Sequence, residues 1–134
     1  MTMDRKAQGR KRDRDKLRVA FARLREMGFW ARMHQEDGWD AVPSDIIRRH
    51  GKVVFWDARI GDAAFDDFGD LLHELPIHHM IRDTFVVARV LHNAGVRVSV
   101  RGRRGGEFLV AEPGEPVSDL PSVEGVRVGS EYVF

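Results

Sequence analysis

Asp83 to Val110, DTFVVARVLHNAGVRVSVRGRRGGEFLV, is the stretch whose reading decides the fold of this chain. Its first part predicts a helix over about 81–93. The valines would suit a strand as well. The length of the segment and the Asn93-Ala94-Gly95 stop decide for helix, because glycine adopts the left-handed position past a helix end without steric cost. The polar residues make only a narrow stripe through Arg82, Arg89 and Asn93, so this helix is expected to be the most buried in the molecule. Beyond Gly95, Val96, Val98 and Val100 alternate with Arg97, Ser99 and Arg101, the period of a strand with one inward face. Gly102-Arg103-Arg104-Gly105-Gly106 turns the chain, and Glu107 to Ala111 pairs back as a hairpin.

Upstream, Leu17, Ala20, Phe21, Leu24 and Met27 recur at three and four residues from about Asp13 onward, placing them on one helix face that stops at Gly28. Phe29 to His34 reads as a strand, with Gly38 in the turn after it. Pro43-Ser44-Asp45 opens a short helix with Ser44 as N-cap, ending at His50-Gly51. Lys52 to Trp56 is an unbroken run of β-formers, as expected of a central strand. Gly61-Asp62 opens a helix carrying Ala64, Phe65 and Phe68; Leu71 to Leu75 is either a third strand or the end of that helix, and Pro76 terminates it in both cases.

The expected architecture is α+β: a mixed, largely antiparallel sheet of four to six strands with two main helices on one face. Residues 1–12 form a disordered basic arm and 13–111 a single domain. Residues 112–134 hold a linker with Pro113, Pro116 and Pro121, followed by Val126, Val128, Tyr132 and Phe134 as an edge strand or docked tail.

LREMGFWARM (Leu24–Met33), VVFWD (Val53–Asp57) and the Asp83–Val110 unit together resemble a family of small, mainly actinobacterial domains of unknown function. There, a helix, a glycine and a strand lead to a VFFH-type strand, then to a helix, a glycine and a terminal hairpin. The resemblance covers residues 17–110 and rests on apolar spacing and glycine placement. It departs where the family carries a cysteine cluster, here HQEDGW (His34–Trp39), and where the family has a His-Gln-Gln-Asp step, here WDARIGD (Trp56–Asp62). A metal or redox site at those places in the family would have lost its ligands here.

The chain has 134 residues, 43% of them hydrophobic, enough for a packed interior without staples. It contains no cysteine, which excludes disulfides, thiolate catalysis and cysteine-ligated zinc. No apolar run approaches the roughly 20 residues of a membrane span. The charged N-terminus does not read as a signal peptide, so a cytoplasmic location is expected. A net charge of +1 conceals an asymmetry: residues 1–18 carry +5 and the remainder −4. Arginine far outnumbers lysine, a coding bias that suggests a bacterium or its phage.

Candidate chemistries follow from these patterns. Lys11, Arg14, Arg18 and Arg25 share a stripe of the first helix, and Arg101, Arg103 and Arg104 sit at the hairpin tip, so both groups are candidates for phosphate contact. Aromatic interleaving and base-reading motifs are missing from the arm. His73, Glu74, His78 and His79 bracket Pro76, but three residues separate Glu74 from His78 and the proline breaks the helix a zincin needs, so no metal is expected. Asp62, Asp66 and Asp70, at i, i+4 and i+8, would line one helix face able to meet a basic partner. Trp39 follows Glu36-Asp37-Gly38 in a turn and is a candidate interface anchor, or a cover over an open sheet edge. The glycines at 102, 105 and 106 precede a strand, not the helix a phosphate loop requires. No serine sits in a nucleophile elbow.

By elimination the leading expectation is a non-catalytic binding module without cofactor, acting on a protein partner; small phage-borne inhibitors of bacterial defence share its size and charge. A nucleic-acid binder using the arm and hairpin arginines is the alternative, and an enzyme with Asp57, His73, His78 or His79 as acid–base groups is the second. Self-association is left open, and no membrane is called for.

Overall fold

Residues 11–49, 51–103, 106–116, 126–128 and 131–133 are described in a computed structural model. Helix α1 (Asp13–Glu26) leads into β1 (Trp30–Gln35), a 3-10 turn (Gly38–Ala41) and α2 (Ser44–Arg49). Strand β2 (Val53–Asp57) passes directly into α3 (Ala58–Ala64), and β3 (Leu75–His79) into a 3-10 turn (Ile81–Asp83) and α4 (Thr84–Asn93). The hairpin β4 (Arg97–Arg103) and β5 (Gly106–Glu112) follows, and the three-residue strands β6 (Val126–Val128) and β7 (Glu131–Val133) complete the order. The expected arm falls largely on residues 1–10, and most of the expected linker on 117–125; both lie outside the described residues.

The sheet runs β1-β2-β3-β5-β4-β7-β6, with β1 and β2 parallel and every other pair antiparallel. It is a mixed, largely antiparallel sheet of five main strands, extended by the short β6–β7 hairpin: an α+β fold. Leu17, Phe21 and Leu24 of α1 and Val87, Ala88 and Leu91 of α4 pack on one face, against Val98, Val100, Leu109 and Ala111. Both main helices therefore share that face. β2 is apolar from Val53 to Trp56 because that stretch is buried on both sides. Val54 and Trp56 join the main core, while Val53 and Phe55 pack with Val42, Trp30 and Ile46 on the opposite face.

Several elements differ from the sequence expectation, each for a local reason. The helix expected from Gly61-Asp62 begins at Ala58, where the Asp57 carboxylate accepts the Arg59 N–H at 2.8 Å as its N-cap. Gly61 lies inside it because a β-carbon there would come within 2.6 Å of the Trp56 Nε1. That helix ends at Ala64 and does not reach Phe68. Asp66 Oδ1 accepts the N–H groups of both Phe68 and Asp70, a side-chain turn that competes with helix. Phe68, expected on that helix, lies beyond it and is 73% exposed. Pro76 does not terminate a segment; it lies within β3, paired with Val110. β2 pairs only with His78 and His79, so at Pro76 no strand flanks that side and the missing N–H breaks no ladder. Met27, counted with the α1 core stripe, is 36% exposed at the helix C-cap.

Candidate interaction surface

α4 is packed on two sides, by α1 and by the sheet, and is open on a third. Gly95, with φ +93°, sends the chain from the end of α4 into β4, which fixes the helix over the hairpin. The turn at Gly28 does the same for α1 and β1. Between them the two helices leave a groove of about 500 Å³. Val19 and Met27 of the α1 segment and Val86 and Val90 of α4 form its apolar lining, and Arg23 and Arg89 stand in it as the only charged groups among the described lining residues. Val19 is 47% and Val86 42% exposed. The most buried helix of the sequence reading thus keeps an apolar stripe beside Arg89 and Asn93 that the fold does not cover.

A second concavity, of about 590 Å³, opens at the carboxyl ends of β1 and β2. The two strands are parallel, and the chain leaves them toward opposite faces of the sheet. After β1 it runs under Phe55, where Trp39 packs; after β2, α3 carries Ala64 into the main core. Ligand crevices of open α/β sheets form at such a divergence. His34, Glu36, Asp37, Asp57, Arg59 and Asp62 line this one. His34 and Asp37 hold positive φ, +58° and +61°, an uncommon conformation for residues with a β-carbon. His34 Nε2 lies 3.3 Å from Asp62 Oδ1, but these side chains are 46% and 70% exposed, so water screens the pair. Asp57 is committed to capping α3. The cleft is a solvated polar rim whose described lining includes no serine or threonine to act as nucleophile.

The sequence-predicted residues are dispersed. Trp39 sets its ring edge against Phe55, with centroids 5.0 Å apart, and so covers the outer sheet face while remaining 39% exposed. Asp62, Asp66 and Asp70 do not share a helix face, because α3 stops at Ala64: Asp62 faces His34, Asp66 shapes the following turn, and Asp70 accepts the Asp13 N–H at 3.2 Å and pairs with Arg12 at 2.8 Å. Two arginines of the expected nucleic-acid surface are engaged within the fold: the Arg14 guanidinium sits 4.6 Å over the Phe65 ring, and Arg25 Nε donates to the Ala31 carbonyl at 3.1 Å. Arg18 pairs with Asp15 at 2.8 Å, but both side chains are exposed, so that pair is weak. Arg101 bridges Glu74 and Glu112, each at 2.8 Å, and holds the Glu74 carboxyl below the usual carboxylate range chiefly by that hydrogen bond. Lys11 is exposed. The side chain of Arg103, and all of Arg104, lie outside the described residues.

The histidines do not converge. His78 stacks on Phe55 at 4.9 Å; its neighbour His79 points to the other side of β3, with Nδ1 2.9 Å from the Met80 carbonyl oxygen, and His73 is an exposed loop residue. Burial lowers the His78 pKa, partly opposed by the charge of Asp57. Among the described residues no cluster of three His, Asp or Glu side chains could hold a metal, and no helix is long and apolar enough to cross a membrane.

No family model, curated protein or solved structure matches the chain. The groove residues Val19, Val86 and Val90 were not singled out from sequence, although a signal was present: α4 carries more apolar side chains than one buried face requires.

Proposed function

We propose that this chain is a protein-binding module that seats an α-helical segment of a partner protein between α1 and α4. The observation that supports this reading is the apolar groove. Two packed helices present Val19, Met27, Val86 and Val90 to solvent along a shared valley, the shape into which a third helix lays an apolar face. α4 is 10 residues long, which corresponds to about 15 Å of helix at 1.5 Å per residue. That length suits a partner segment of about three turns, with anchors at i, i+3 or i+4, and i+7. No catalytic machinery is needed for such a role, and the polar cleft supplies little.

Site-specific photo-crosslinking in the native cell tests the reading. A photoreactive phenylalanine analogue replaces Val19 or Val86 in one set of variants, and Arg59 or His73 in a control set. Protein adducts confined to the groove positions, on a peptide that is helical in its own protein, support the proposal. Adducts at the controls only, adducts with nucleic acid, or none at Val19 and Val86 refute it.

A further inference from the structure

Resting on the groove as the docking surface, we infer that its occupant is an acidic amphipathic helix, whose carboxylates flank the apolar stripe and are read by Arg23 and Arg89. The inference comes from the placement of charge. Beyond residue 18 the chain is net negative, with 18 acidic against 14 basic side chains. The groove is a local exception: its two charged lining residues are both arginines, one contributed by each wall. Arg23 reaches Glu26 at 3.2 Å, but both side chains are about two-thirds exposed, so the pair is weak and readily exchanged for a partner carboxylate. A helix seated on Val19, Met27, Val86 and Val90 would run between the two guanidinium groups. Carboxylates on both sides of its apolar stripe would then meet arginine, whose planar fork donates to both oxygens of a carboxylate at once.

The same arrangement argues against a second copy of this chain on the same face. A two-fold contact there would bring four arginines into one desolvated valley, with only the Glu26 carboxylates beside Arg23 to offset them among the described residues. Nucleic acid fits this face poorly, because two arginines beside four apolar side chains offer few phosphate contacts.

The test uses two 14-residue acetylated helical peptides with the same leucine stripe, one with glutamates on both flanks and one with lysines. Each is titrated to 1 mM into the ¹⁵N-labelled full chain at low and at physiological salt. The glutamate peptide should shift the amides of residues 19–27 and 86–94 and bind about ten-fold more tightly than the lysine peptide, the advantage shrinking with salt. In the double variant Arg23→Glu, Arg89→Glu, whose fold is checked by its amide spectrum, the preference should invert. Equal binding of both peptides in the groove would overturn the charge assignment and leave helix docking standing. Shifts outside the groove, or no shifts with either peptide, would overturn both. Concentration-dependent dimerisation that Val86→Glu abolishes would replace the partner helix with a second copy.

Discussion

Asp13 and Asp70 form a latch whose removal gives the sharpest test of the structure. α1 starts without a cap of its own: Arg12 occupies the N-cap position and makes no side-chain capping bond. The loop after α3 supplies one from 57 residues away, the Asp70 carboxylate accepting the Asp13 N–H at 3.2 Å. Asp13 returns the contact, its Oδ2 accepting the buried Leu71 N–H at 2.8 Å, and the Arg14 N–H donates to the Gly69 carbonyl at 2.8 Å. Asp13 is only 5% exposed, so Asp13→Ala leaves the Leu71 N–H buried and unpaired, a loss of about 1–3 kcal/mol. Asp70→Ala removes the borrowed cap, about 1 kcal/mol, and a partly buried pair with Arg12 that adds about 1 kcal/mol. Asp62→Ala, at a carboxylate 70% exposed, should stay within about 0.5 kcal/mol of wild type. Because Asp13 and Asp70 serve one junction, the double variant should lose less than the two single losses combined. Urea unfolding followed by circular dichroism gives each value from its midpoint, provided the slope is unchanged. If Asp13→Ala and Asp62→Ala unfold at the same urea concentration, the latch does not hold α1, and the reasoning fails.

Three further outcomes follow from particular contacts. Gly61→Ala places a β-carbon where only 2.6 Å separates it from the Trp56 Nε1, so the variant should lose about 1–3 kcal/mol and shift tryptophan emission; an unchanged melt with unchanged fluorescence would contradict the packing. The lowered His78 pKa means the unfolded chain binds more protons at this group than the native one. Its contribution to stability is therefore present above the ordinary histidine value of about 6.5 and lost as pH falls below it, and His78→Phe should lose less stability than wild type between pH 8 and 5.5; parallel losses would show that His78 is not the group responsible. Ser99 is fully buried on the outward face of β4 and donates to Glu112 at 2.6 Å, so Ser99→Ala should cost about 1–2 kcal/mol in a thermal melt, and a neutral result would place the hydroxyl in contact with water.

Much of the fold was legible because its signals are local. The valine alternation of β4, the glycine-rich turn and the return strand β5 form the expected hairpin, with Val98 opposite Ala111 and Val100 opposite Leu109. The apolar run of β2 correctly marked a strand covered on both faces. The errors fall where a tertiary contact overrides a local pattern. Asp62, Asp66 and Asp70 have helical spacing, but whether Asp66 continues a helix or folds a turn depends on Asp70 being drawn to the start of α1, a contact no window of sequence contains. Pro76 stops a strand in isolation; it is tolerated here because the pairing of β3 with β2 ends at His78. The groove was hidden for a related reason. Periodicity tells which side of α4 is apolar, but not how much of that apolar surface the neighbouring elements leave uncovered.

Magnitudes also constrain the proposed interaction. Val19, Met27 and Val86 are between 36% and 47% exposed, so covering them and Val90 recovers about 2–4 kcal/mol on this chain, given about 1.5–3 kcal/mol for a fully buried side chain of this size. The partner's leucines contribute a similar amount, and two flanking charge pairs add about 0.2–1 kcal/mol each. Against this stands a cost of several kcal/mol for lost rigid-body freedom and ordering of the peptide. At the upper end of these gains the difference reaches about 6 kcal/mol, so an isolated three-turn helix binds no more tightly than tens of micromolar. A peptide that bound at nanomolar concentration would need contacts beyond the groove. Shortening a tight-binding partner to its groove helix should then weaken it to the range above.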